Sequence, residues 1–189
     1  MSQPERVMII RHAEKPSHNE KDERGGVKSD GSKSEESLSV RGWQRAGALS
    51  LLFGSADIAH SRGLSVPRHL YAANPEKADH LGSKSRRPKE TLEPLALRLG
   101  VTMFLDWSKG QENSLCKDVL TKSGTVLISW QHELIPAIAA AIPGGSIPQT
   151  KVWADERFDL VWVLDRLTDG KYSFREIRQA LLAGDAGLI

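Results

Sequence analysis

The chain has one cysteine, Cys116, so no intrachain disulfide can form, which fits a reducing compartment. Cys116 lies in the helical pattern of residues 113–120 and reads as a small buried residue; a lone thiol nucleophile is the alternative. No Cys/His spacing of a zinc site occurs. No window approaches the roughly 18 consecutive apolar residues of a membrane span. Residues 1–6 pass straight into a short strand with no apolar stretch of signal-peptide type, so a cytoplasmic protein without membrane association is expected. An excess of one charge sign is also missing. Lys and Arg number 26 against 24 Asp and Glu, and the net charge of +2 is too small to point to a nucleic-acid partner. The one local concentration of positive charge is Lys84-Ser85-Arg86-Arg87-Pro88-Lys89. There is no internal repeat.

What is present is an alternation of short apolar runs and amphipathic segments over 189 residues, a length suited to one domain, 1–189, with a sizeable core. The apolar share is 39% and the charged share 26%, ordinary for a globular chain. Val7-Met8-Ile9-Ile10 reads as a buried strand of a parallel sheet. Residues 16–37 are polar, with Val27 the only aliphatic residue. They form an excursion that is either a functional cover over the end of that strand or a solvated loop.

Residues 38–53 read as a helix capped by Ser39, with Trp43, Ala46, Leu49 and Phe53 on one face and Gly54 as its stop. A strand is expected at 69–73, then a helix at 87–100, with Pro88 in its first turn and Pro94 as a possible kink. Further strands are expected at 101–105, 124–130 and 158–164, and helices at 112–121 and 134–142. A turn at 168–171 predicts a hairpin with a short strand at 172–174. The tail, 175–189, fits helix or extended chain. The alternation argues an α/β sandwich with a largely parallel sheet.

Two of these strands end alike. The first runs into Arg11-His12 and the fourth into His132-Glu133. As parallel neighbours they would present both histidines beyond the carboxyl ends of the strands, where open α/β sheets bind ligands. Arg87, opening a helix, adds a second guanidinium and a helix N-terminus. Two arginines and two histidines make an anion site, since the guanidinium fork matches phosphate oxygens. A neutral imidazole there can attack phosphorus in line with the leaving oxygen, and the cations spread over the equatorial oxygens. A carboxylate beside them can serve as proton donor and then activate water.

Alternative readings stand beside this one. The arginines could be surface ion-pair partners. The histidines could ligate a metal with Glu14 and Glu133, though two nearby arginines would repel a cation. His60, His69 and His80 read as ordinary loop residues, and His18 lies in the polar excursion. Glu14 and Lys15 either touch substrate or cap the strand end, and Trp130 and Trp153 either wall a pocket or pack in the core.

The residues resemble the histidine phosphatase superfamily, also called the phosphoglycerate-mutase-like fold. Its Arg-His pair after the first strand corresponds to Arg11-His12-Ala13-Glu14, with Ala13 where Gly is commoner. Its Leu-Thr-x-x-Gly-x-x-Gln-Ala signature is similar to Leu38-Ser39-Val40-Arg41-Gly42-Trp43-Gln44-Arg45-Ala46, with Gly and Gln shifted by a residue. Its Arg-Ala-x-Gln-Thr segment looks like Arg87-Pro88-Lys89-Glu90-Thr91, where Thr91 favours Arg87 over Arg86. The likeness runs from Val7 to about Leu164.

It implies a three-layer α/β/α sandwich of phosphoglycerate-mutase-like type. It makes His12 the phosphorylated nucleophile and has Arg11, Arg87 and His132 bind the phosphoryl group. The proton donor is expected at Glu133, with Glu112 the alternative from the branch that includes the mutases. The expected activity is metal-independent hydrolysis of phosphomonoesters, with no cofactor and a small phosphorylated substrate. Within the resemblance, a mutase and a phosphohistidine-protein phosphatase are the other enzyme readings, and an inactive phosphate-binding module is the non-enzyme one. Nothing in the sequence speaks to oligomeric state.

Overall fold

A computed structural model describes residues 3–16, 25–75, 84–144 and 151–185. In chain order these form β1 (Arg6–Arg11), α1 (Val40–Gly54), α2 (Ala56–Ser61), β2 (His69–Ala72), α3 (Arg87–Leu99) and β3 (Met103–Phe104). There follow α4 (Glu112–Val119), β4 (Thr125–Trp130), a 3₁₀ turn (His132–Leu134), α5 (Ile135–Ala140), β5 (Leu160–Arg166) and β6 (Tyr172–Arg178). His18, His80 and Ser83, most of the tip of the polar excursion, and part of the loop after α5 lie outside the described residues.

The six strands form one sheet in the order β3-β2-β4-β1-β5-β6. β1, β2, β3 and β4 run parallel, while β5 pairs antiparallel with β1 and β6 antiparallel with β5. Strand side chains alternate between faces, so the run Val7–Ile10 feeds two cores. Val7 and Ile9 pack with Leu115, Val119, Ile135 and Ile138 of α4 and α5. Met8 and Ile10 pack with Leu49, Leu52 and Phe53 of α1 and Leu92 and Leu95 of α3. With helices on both faces, all four β1 residues are fully buried, which is why they are apolar without alternation. Cys116, Trp130 and Trp153 belong to the first core. Burial pushes the Cys116 thiol up to about 12, which suits packing and not nucleophilic chemistry.

Several elements differ from their sequence-based expectation. The β3 strand is two residues long, because only Met103 and Phe104 pair with β2 at the sheet edge. The β6 strand extends to Arg178, held along its length by β5, so the first part of the tail is extended chain. α2 was not legible in the pattern; α1 ends as Ser55 turns extended after Gly54, and the chain re-enters a helix at once. α5 is shorter than expected, its first turn being the separate 3₁₀ turn. Pro94 sits inside α3 without interrupting it, and Gly100 closes that helix at φ 64°, as expected of a left-handed cap. No helix among the described residues is long and apolar enough to cross a membrane.

Two polar knots tie the loops to this frame. Glu90 of α3 is buried and accepts from Ser37 Oγ (2.8 Å) and from the Leu38 backbone N–H (2.9 Å), which fixes the end of the polar excursion. Trp43 Nε1 donates to the Val27 carbonyl and anchors it further back. The second knot centres on Arg45, whose side chain is 2% exposed. It donates to both carboxylate oxygens of Glu14, to both of Asp185 and to Gln179 Oε1. Burial would raise the Asp185 pKa, but Arg45 and the Leu181 and Leu182 amides outweigh it and hold it at about 2.

Arg45→Ala would leave two carboxylates without their buried cation. Such truncation of a buried ion pair costs about 3–5 kcal/mol. Urea unfolding should therefore give a midpoint far below wild type with an unchanged m-value; a loss under about 1 kcal/mol would mean the knot contributes little.

Candidate active site

β1 and β4 pair in register, Arg11 opposite Trp130, and the ladder continues one step as the His12 N–H donates to the Trp130 carbonyl at 3.0 Å. Both strands therefore release their chains at the same level, and His12 and His132 come to one edge of the sheet. The start of α3 delivers Arg87 to the same place. Arg11, His12, Arg87, His132 and Glu133 line one open cleft of about 220 Å3, joined by Lys15, Ser85, Lys109 and Gln131.

His12 is held from several sides. The Ala13 N–H donates to Thr91 Oγ1 (2.8 Å), whose hydroxyl donates to the Arg87 carbonyl (2.7 Å). The Ala13 side chain is buried with Leu38, Ala46 and Trp43. A Cβ at Gly42 would stand 2.5 Å from the Glu14 carbonyl, so only glycine lets α1 approach this turn. His12 Nδ1 lies 2.7 Å from the Ala13 carbonyl. A carbonyl can only accept, so Nδ1 carries the proton and Nε2 keeps its lone pair. Burial pushes the His12 pKa down to about 3; the Ala13 bond opposes this, while Arg11, Arg87 and His132 add to it. The ring is thus a neutral imidazole whose Nε2 has no partner among the described residues.

The cations are fixed by different means. The Arg11 side chain is fully buried, with its guanidinium 3.8 Å from the centre of the Phe158 ring. Its Nη1 donates to the Asp155 carbonyl and its Nη2 to Asp155 Oδ1 at 3.0 Å, while its buried Nε has no partner among the described residues. Arg87 is held by the excursion: Nε donates to the Ser37 carbonyl (3.2 Å) and Nη2 to that of Glu35. Burial lowers both guanidinium pKa values against neighbouring carboxylates, yet an arginine stays charged. His132 lies between Glu133 Oε2 (3.2 Å from Nδ1) and Asp155 Oδ1 (3.3 Å from Nε2). Burial, then Arg11, lower its pKa against the pull of these carboxylates.

Of the two acid candidates, Glu133 is at the cleft and Glu112 is not. Glu112 Oε1 accepts from Trp130 Nε1 (3.0 Å) and from the Gly110 N–H (2.9 Å), a structural position. Glu133 is ion-paired with Lys109 at 2.6 Å. Burial would raise its pKa, but Lys109 and His132 bring it below the ordinary value, so it is ionised at neutral pH. Glu14 turns away from the cleft into the Arg45 knot, which removes it from any metal set with His12; Lys15 faces the cleft. His69 bonds the Ser123 carbonyl at the opposite end of β2, and His60 is exposed on α2. Among the described residues no three carboxylate, imidazole or thiolate groups cluster suitably for a metal ion.

Sequence reasoning missed Asp155, Phe158 and Gln131. Phe158 was expected inside the last strand, but β5 begins at Leu160. Asp155 lies on an irregular segment with no periodic signal. Gln131 joins β4 to the 3₁₀ turn and carries no signal of its own in the sequence.

No protein-family model and no curated protein matches the chain. Among solved structures, it is similar to a protein histidine phosphatase, SixA, complexed with tungstate. The identity is 11% and the TM-score 0.50 over 92% of this chain and 97% of that one. It is also similar to a protein from Agrobacterium tumefaciens assigned as the phosphohistidine phosphatase SixA, at 17% identity and a TM-score of 0.45, over 87% and 94% of the two chains. The former likeness establishes the fold, a six-stranded, mostly parallel sheet with flanking helices, as phosphoglycerate-mutase-like.

The depressed His12 pKa has a measurable consequence. Between about pH 3 and 6.5 the unfolded chain holds this proton and the folded chain does not. Stability from this group is therefore full above pH 6.5 and declines as pH falls toward 3. Comparing urea unfolding at pH 7 and 5, wild type should lose about 2 kcal/mol more than His12→Gln, which cannot titrate. Equal losses would mean that the ring is not desolvated.

Proposed function

We propose that this chain of phosphoglycerate-mutase-like fold is a phosphatase that hydrolyses phosphomonoesters through a phosphohistidine on His12, without a metal. The observation that carries this reading is the neutral His12, with Nδ1–H bound to Ala13 and Nε2 without a partner among the described residues, set among Arg11, Arg87 and His132. These four are the residues of the family resemblance, and one cleft gathers them. A phosphoryl group seated there meets a nucleophile on one side and fixed positive charge around its equatorial oxygens.

In the first step the Nε2 lone pair attacks phosphorus, the N–P bond forms, and the bond to the leaving oxygen breaks on the far side. The leaving oxygen takes up a proton, from Glu133 when that carboxyl is protonated or from water in the open cleft. In the second step a water attacks phosphorus, the N–P bond breaks, and inorganic phosphate leaves with His12 restored. Glu133, ionised beside His132, is suited to take the proton of that water. Its ion pair with Lys109 favours the charged form, which suits this water-activating step.

That same observation favours a second reading, a phosphohistidine on a protein as substrate. A phosphorylated imidazole has a second ring nitrogen that can be protonated from solvent, so it departs as neutral imidazole without an acid from the enzyme. The neighbour of TM-score 0.50 is named a protein histidine phosphatase, which supports this direction. A mutase needs a cleft that retains a donor and acceptor hydroxyl together, and nothing in the site argues for it.

Turnover of p-nitrophenyl phosphate in EDTA should persist for wild type and fall at least about 10³-fold in His12→Ala and about 10²-fold or more in Arg87→Ala. Acid quenching with labelled substrate should trap phosphate on wild type and not on His12→Ala. Loss of activity to EDTA, label retained by His12→Ala, or an inert wild type on esters and phosphoramidates would each sink the reading. A ratio of phosphoramidate to alkyl-ester turnover well above that of the uncatalysed reactions would select the phosphohistidine substrate.

A further inference from the structure

Asp155 makes contacts that no part of the proposed reaction uses. Its carboxylate oxygen Oδ1 is 3.0 Å from Arg11 Nη2, 3.3 Å from His132 Nε2 and 3.8 Å from Lys15 Nζ. Arg11 and His132 are the groups assigned to the phosphoryl oxygens, so a carboxylate of the protein itself holds the donors meant for substrate. The two ends of this contact are unlike. Arg11 is fully buried and clamped against Phe158, whereas the Asp155 side chain is 66% exposed on a segment without regular structure. The Asp155 carbonyl also accepts from Arg11 Nη1, so the backbone stays anchored if the carboxylate turns away. The Arg11 Nε, buried and without a partner among the described residues, marks a guanidinium whose bonding is incomplete while Asp155 holds its fork.

Resting on the phosphatase reading, we infer that Asp155 is a specificity-determining residue, an internal anion that competes with the phosphoryl group for Arg11 and His132. Only an anion that binds these donors better than a single carboxylate displaces it. A phosphoryl dianion does so, with more charge and three oxygens for the same fork, and a lone carboxylate does not. The displaced side chain stays nearby and repels bound phosphate, so it sets a ceiling on product affinity as well. The charged groups facing it are Arg11, Lys15 and His132, with Glu133 beyond the last.

The test is the affinity of inorganic phosphate, by isothermal titration calorimetry at fixed ionic strength, for wild type, Asp155→Asn, Glu156→Gln and Arg87→Ala. Glu156→Gln removes the same charge from an exposed neighbour. Asp155→Asn should bind phosphate about tenfold tighter, the scale of freeing a charge-assisted bond, and Glu156→Gln within about twofold of wild type. Equal tightening in both would reduce the effect to net charge and overturn the inference. Unchanged or weaker binding in Asp155→Asn would overturn it too, while a loss of binding in Arg87→Ala leaves the phosphatase reading standing. Absence of phosphate binding in every variant, wild type included, would remove both.

Discussion

The parallel pairing of β1 with β4 governs everything near the cleft. Register is what matters: with Arg11 opposite Trp130 and the His12 N–H on the Trp130 carbonyl, both chains leave the sheet at one height. A slip of one residue would turn Arg11 toward the opposite face and take His12 with it, because strand side chains alternate. The apolar run Val7–Ile10 prevents such a slip, since each of its residues fills a site in one of two cores. The α3 helix then adds Arg87 and, through Thr91, grips the turn that carries His12.

Around this edge the structure concentrates positive charge and removes water from one imidazole. Burial and the neighbouring cations keep His12 neutral, and the Ala13 carbonyl decides which nitrogen holds the proton. Such a ring is suited to attack, and the proposed reaction follows from its setting more than from its identity. The polar excursion contributes through its main chain: the carbonyls of Glu35 and Ser37 orient Arg87, and Glu90 secures that stretch in return. Its described part is therefore a clamp on one of the cations.

Charge balance in the cleft also separates positions that look alike in sequence. Glu14 and Glu133 each follow a histidine within two residues. Glu14 meets the buried Arg45 and is absorbed into the frame, whereas Glu133 stays at the opening with Lys109. Asp155 and Glu156 are adjacent acids on one segment, and only the first reaches Arg11 and His132.

The sequence by itself determined the strands, most of the helices and the grouping of Arg11, His12, Arg87 and His132 as one set, with Glu133 or Glu112 as the acid. These are legible because burial on both faces forces uninterrupted apolar runs, and because polar residues directly after such runs stand at the sheet edge. Tertiary structure alone decided what depends on distant contacts. The choice of Glu133 over Glu112 at the cleft follows from Trp130 and Gly110 claiming Glu112. The length of β6 follows from pairing with β5, and the two-residue β3 from its place at the sheet edge. The arrival of Asp155 at Arg11 joins positions 144 residues apart through a segment with no period to read. Local pattern records which residues are buried; it carries no trace of which exposed side chain a folded chain brings to a buried charge.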